Sequence, residues 1–134
     1  MKHSKFFKST LAVLLIAGAF VYNGINVEAN TTPSGVVGGT SVYGRTTIGL
    51  NNATASTLTT PADYGVYCKV SASYNSEHPT THATYPEHKE TYGYGSAGVS
   101  FVAPSAYESK YVDATHYAEK YSQKWSDYSS ETYP

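Results

Sequence analysis

Cysteine is almost missing from this chain: Cys68 is the only one, so no internal disulfide can form and the fold must stand on packing alone. Large aliphatic and aromatic side chains other than tyrosine are scarce. Beyond residue 29 there remain one Phe (Phe101), one Trp (Trp125) and only Ile48, Leu50 and Leu58 among the Leu and Ile positions. A concentrated basic surface is lacking as well. Without Lys2, Lys5, Lys8 and Glu28 the chain keeps six basic and nine acidic residues, a formal charge of −3. Nucleic acid and anionic membrane surfaces both need clustered Lys and Arg, so neither is an expected partner. There is no Gly-x-Ser-x-Gly elbow, zinc-protease His pair, phosphate-cradling loop or cysteine nucleophile beside a base, so no catalytic residue is assigned and an enzyme is not expected.

What is present begins with a secretion signal. Lys2, Lys5 and Lys8 precede the apolar run Leu11 to Val21, which is short for a bilayer span, and Val27-Glu28-Ala29 offers small residues for cleavage. Residues 1–29 therefore read as a signal peptide, 30–40 as a flexible leader and 41–134 as one domain, secreted and extracellular. Membrane contact is expected only through the signal before cleavage.

The organising stretch is Tyr64 to Tyr74. Tyr64, Val66, Cys68, Val70, Ala72 and Tyr74 share one parity and Gly65, Tyr67, Lys69, Ser71 and Ser73 the other, the pattern of a half-buried strand. Its parity makes Cys68 a buried hydrophobe rather than a reactive thiol. Two weaker strands are expected on either side of Asn51-Asn52, after a turn at Gly38-Gly39, and another through Ala97, Val99, Phe101 and Ala103. Thirteen tyrosines remain beyond residue 29, and with so few other large residues tyrosine is expected to do the work of the large hydrophobe. Tyr, Thr and Val favour strands, so the fold class is all-β, a small antiparallel two-sheet β-sandwich. Residues 105–125 fit two periods. Tyr107, Tyr111, Ala114, Ala118, Tyr121 and Trp125 recur at helical spacing behind a Ser105/Glu108 capping box, which leaves an α+β alternative with a C-terminal amphipathic helix. Val112, Ala114, His116 and Ala118 equally alternate as a strand.

Val99-Ser100-Phe101-Val102-Ala103-Pro104-Ser105, Ala114-Thr115-His116 and Ser122-Gln123-Lys124-Trp125-Ser126 resemble blocks of small secreted Gram-positive proteins rich in Ser, Thr and Tyr. That resemblance implies successive strands of a β-sandwich and favours strands over 105–125. Ser71-Ala72-Ser73-Tyr74-Asn75 followed by Thr81-His82-Ala83-Thr84 is similar to the central strand and His-containing turn of the lactococcin-type bacteriocins, which implies action on the envelope of neighbouring bacteria.

Two clusters carry candidate chemistry. His78, His82 and His88 lie among Glu77, Glu87 and Glu90, but Pro79 and Pro86 exclude the helix that would bring the first two imidazoles onto one face; no metal ligand and no cofactor is assigned. Tyr92 and Tyr94, set between glycines, and Tyr67 on the open side of the organising strand are the candidate binding residues, because flat rings bury sugar CH faces or protein surface at low entropy cost. The function expected is a non-catalytic extracellular binding domain with a cell-surface glycan or protein as partner. N-terminal sequencing of protein from the culture medium should read Asn30 first; Met1 retained in a membrane fraction would refute the signal.

Overall fold

A computed structural model describes Val27–Glu28 and residues 32–134, and every regular element among them is a strand. The nine strands are β1 (Val27–Glu28), β2 (Ser34–Val37), β3 (Thr40–Ile48), β4 (Asn52–Thr60), β5 (Tyr67–Glu77), β6 (Thr84–Tyr94), β7 (Ser96–Val102), β8 (Glu108–Lys120) and β9 (Gln123–Thr132). They form two antiparallel sheets. Sheet A runs β1-β3-β4-β7 with β2 beside β1 on the same edge of β3, and sheet B runs β6-β5-β8-β9. The chain changes sheets between β4 and β5, between β6 and β7 and between β7 and β8. The all-β sandwich expected from composition is the fold observed.

The organising strand is β5, at the middle of sheet B. Val66, Cys68, Val70, Ala72 and Tyr74 are buried, but Tyr64 stands 79% exposed in the turn before the strand. Asp63 explains the departure: its carboxylate and carbonyl accept from the Gly65 and Val66 amides, closing a turn that takes Tyr64 off the strand parity. The same carboxylate accepts from Thr40 of β3 and from Lys120 Nζ of β8 at 2.6 Å, tying the two sheets at one end. These bonds hold the Asp63 carboxyl down at about 2, the Lys120 contact contributing most.

Residues 105–125 are strand, not helix. β8 directs Val112, Ala114, His116 and Ala118 inwards, and the hairpin to β9 turns on Tyr121 and Ser122 at φ 51° and 66°. The left-handed pair matches the twist of the strands it joins, which a continuing helix could not do. The leader expected over 30–40 is corrected in its second half. Ser34–Val37 pairs with β3 through a tight turn at Gly38-Gly39, with φ 52° and 80°, and Val37 is fully buried. Apart from Val27–Glu28, paired with Ile48 and Thr47, the expected signal peptide lies outside the described residues. Cleavage after Ala29 would remove β1 and leave β2 on that edge.

The core is made of small residues. Ala53, Ala55, Ala97, Ala72, Ala114 and Ala118 are interleaved with Val, Ile48 and Cys68, and Tyr74 stacks on Phe101 at 5.2 Å between centroids. Burial pushes the Cys68 thiol up to about 11, the property of an inert packed thiol. Tyrosine is not the main core residue, contrary to expectation. Tyr43 and Tyr74 are buried, whereas seven others are prominently exposed. Tyr74 can be buried because its hydroxyl meets Ser109 Oγ at 2.8 Å, which a one-residue register shift opposite Asn75/Ser76 turns inwards.

His116 occupies the centre. Gly44 and its cross-strand neighbour Thr57 face it from sheet A, and a Cβ at Gly44 would lie 2.2 Å from the imidazole. Thr57 Oγ1 donates to the Lys69 carbonyl at 2.8 Å, so it accepts from His116 Nδ1–H at 3.0 Å; Nε2 then accepts from the Ser129 hydroxyl at 2.6 Å. His116 is thus a fully buried histidine with both ring nitrogens hydrogen-bonded, on the parity of Val112, Ala114 and Ala118.

Burial drives the His116 pKa down to about 4, against smaller opposing effects of Asp127 and the Ser56 backbone. The unfolded chain therefore binds a proton that the folded one refuses. The His116 contribution to stability is constant above about pH 6.5 and falls as pH drops towards 4, by roughly 3 kcal/mol in all. The Asp63 contribution is lost only lower, between 3.8 and about 2. Thermal melts should show Tm falling between pH 6.5 and 4, and His116→Gln, less stable at neutral pH, should flatten that interval. A wild-type Tm unchanged from pH 7 to 4.5 would refute the assignment.

Candidate binding face

Strand alternation dictates the site. With Cys68, Val70, Ala72 and Tyr74 inwards, β5 sends Tyr67, Lys69, Ser71, Ser73 and Asn75 to the open side of sheet B, and the registers of its neighbours extend each into a row. The rows read Tyr94-Tyr67-Glu119-Lys124, then Tyr92-Lys69-Tyr117-Ser126, Glu90-Ser71-Thr115-Tyr128, His88-Ser73-Asp113-Ser130 and Pro86-Asn75-Tyr111-Thr132. Six tyrosines thus share one face, all three of the sequence candidates among them.

Tyr67 is the hub of the first two rows. Its ring lies 6.0 Å from Tyr92, nearly parallel, and 5.9 and 6.1 Å from Tyr94 and Tyr117, both close to perpendicular. Tyr92 and Tyr94 remain 70% and 63% exposed, so their outer surfaces stay open while Tyr67 is half-buried among its neighbours. Offset and edge-to-face contacts let the ring quadrupoles attract. Gly93, on the opposite parity, permits the corner after the pair: a Cβ there would lie 2.5 Å from the Ser96 carbonyl oxygen, where β6 gives way to β7 in the other sheet.

Below this cluster the face dips. Ser71, Thr115 and Ser126 are short and stand between Tyr117, Lys69 and Glu90, leaving a trough of about 330 Å³. Lys69 Nζ and Glu90 Oε1 pair across its end at 3.2 Å. Tyr117 donates its hydroxyl to Glu119 at 2.7 Å, and that bond raises the phenol pKa. One row further, His88 sits between two serines, Nε2 at 3.2 Å from Ser71 Oγ and Nδ1 at 3.0 Å from Ser73 Oγ. Asp113, beside Ser73, has its carboxyl pushed up by burial, partly offset by His88.

The histidines that resembled a metal cluster are dispersed. His78 lies edge-to-face against Tyr107, His82 Nδ1 is 3.0 Å from Glu77 Oε1 in the β5–β6 turn, and His88 is on the open face. Among the described residues no three His, Cys, Asp or Glu side chains are placed to hold a metal ion. Asp113 and His116 point to opposite faces of β8, so they do not form an acid–base pair.

No protein-family model matches this chain, and no curated protein matches it. The face therefore has to be read from its own chemistry. Sequence reasoning located Tyr67, Tyr92 and Tyr94 but missed Tyr111, Tyr117 and Tyr128 and the trough. The signal for Tyr111 and Tyr117 was present in the β8 parity, opposite to Val112, Ala114, His116 and Ala118, and was masked by the competing helical period.

Because Tyr67 touches three rings and Tyr92 keeps most of its surface in water, their removal should differ. Tyr67→Ala is expected to lower the unfolding free energy by about 1 to 2 kcal/mol, and Tyr92→Ala by less than about 0.5 kcal/mol. Denaturant titration of both variants checks this; equal losses would refute the hub.

Proposed function

We propose that the chain is a secreted, non-catalytic binding domain that meets its partner at a cell surface through the tyrosines on the open face of sheet B. The observation that carries the reading is the convergence of six tyrosines on one face of one sheet. Tyrosine supplies large, rigid contact area with few rotatable bonds, and its hydroxyl keeps the free face wet. Secretion is supported by the basic start, the short apolar run and the small residues at Val27-Glu28-Ala29.

The same geometry favours binding over catalysis. His88 has serines on both nitrogens, with no carboxylate bonded to it as an orienting third member. The amides of β5 around Ser71 are paired in ladders on both sides, so they are not free to stabilise an oxyanion.

A second reading, a bacteriocin-like protein, is favoured by one placement. Ser71 to Asn75 lies in the central strand β5, and Thr81 to Ala83 in the turn that follows it, the arrangement the resemblance implies.

The test is binding of the purified secreted protein to Gram-positive cells, with a growth-inhibition assay alongside. Tyr92→Ala combined with Tyr94→Ala should weaken binding by about thirtyfold or more while the β-type circular dichroism and Tm stay nearly unchanged. Undiminished binding by the folded double variant would place the site elsewhere.

A further inference from the structure

We infer that the trough beside Tyr117 is a saccharide subsite that takes one or two neutral sugar units of a glycan chain. The inference rests on the reading of sheet B as a binding face and adds what the face recognises.

The trough is built from side-chain length. Ser71 and Thr115 are directly cross-paired, and Ser126 is the partner of Tyr117, so three short hydroxyl side chains make a floor among longer neighbours. Each hydroxyl can both donate and accept, as each sugar hydroxyl can. Glu90 adds a carboxylate acceptor and Lys69 a donor, 3.2 Å apart, a spacing suited to adjacent hydroxyls of one ring. Tyr117 contributes an aromatic wall whose orientation is held by its bond to Glu119. A ligand that matches all of this has many hydroxyls and also an apolar CH face.

Charge selects against the alternatives. Lys69 is already neutralised by Glu90, and in the adjoining rows Glu119 is balanced by Lys124 while Asp113 adds a carboxylate, so a phosphate, sulfate or sialic acid meets no excess of positive charge. A cationic ligand would meet Lys69 at the end of the trough. Size selects too: about 330 Å³ is at the small end of ligand sites and holds one or two rings, not a long segment. The surrounding tyrosines do not extend it into a flat strip, because Tyr94 and Tyr117 both stand nearly perpendicular to Tyr67. A flat crystalline polysaccharide would need coplanar rings, so the fit is to the end of a chain.

The test uses the purified secreted protein on an array of neutral oligosaccharides and their sialylated and sulfated counterparts. The best neutral binder is then titrated while amide resonances are followed. Binding confined to neutral glycans is expected, with shifts at Ser71, Thr115 and Ser126. Glu90→Gln and Tyr117→Ala should each weaken it by about tenfold or more, and Tyr117→Phe, which keeps the ring, should retain most of it. Tyr117→Phe also guards against loss of folding in Tyr117→Ala. Preference for the charged glycans, or neutral binding untouched by Glu90→Gln and Tyr117→Phe/Ala alike, would overturn the inference. So would an empty array; if the Tyr92/Tyr94 double variant still loses cell binding in that case, the binding face stands and only its sugar specificity falls.

Discussion

The sandwich depends on how closely its two sheets can approach, and the contact that sets that distance is His116 lodged against Gly44. A side chain at position 44 would occupy the space of the imidazole, so sheet A must present hydrogen there. A polar ring at the centre of an apolar layer is costly unless both nitrogens are satisfied, and Thr57 from one sheet and Ser129 from the other do so. Thr57 is itself fixed by donating to the Lys69 carbonyl of β5. One relay therefore joins β4, β5, β8 and β9 and sets the lateral register of the sheets. The Gly35 position repeats the device at the edge, where a Cβ would lie 2.2 Å from Trp125.

A thin layer has a consequence for tyrosine. With alanine, valine and cysteine filling most inward positions, only Tyr74, stacked on Phe101 and bonded to Ser109, finds room between the sheets. Most of the others are displaced to the surface, and the parity of sheet B collects six tyrosines on one face. Tyrosine there depends on the backbone of strands whose inward residues hold the fold, so ligand contacts and core contacts fall on alternate residues. Lys69 to Ser73 shows the division most clearly: Val70 and Ala72 are in the core, and Lys69, Ser71 and Ser73 reach the trough or His88.

Much of this was legible from alternation alone. β5 could be read because a central strand covered on one side keeps strict period two, and its parity also placed Cys68 and Tyr67 correctly. Tyr64 defeated the same rule because a side chain, Asp63, closes a turn that periodicity does not register. Residues 105–125 were ambiguous because Tyr107, Tyr111, Ala114, Ala118, Tyr121 and Trp125 satisfy spacings of three and four by coincidence; the hairpin at Tyr121-Ser122 carries neither Gly nor Asn, so its left-handed pair left no mark. β2 was missed although Gly38-Gly39 is a strong hairpin signal, since four residues are too few to show a period. The trough is a feature of four strands, β5, β6, β8 and β9, and no local pattern could announce it.

The edges of sheet B decide how a partner can approach. An open edge strand offers unpaired amides and carbonyls for strand addition, but β6 carries Pro86, which has no amide to give, among Glu87, His88, Lys89 and Glu90. The opposite edge, β9, carries Lys124, Asp127 and Glu131. Lys89 is further committed, donating to the Ser100 carbonyl at 2.7 Å and lying over the Phe101 ring, so it seals the gap between β6 and β7. Charge and proline thus oppose pairing along both edges, and neither discourages contact with the face between them. A partner that cannot add a strand must be held by side chains, and the face that offers them in quantity is the one bearing Tyr67, Tyr92, Tyr94 and Tyr117.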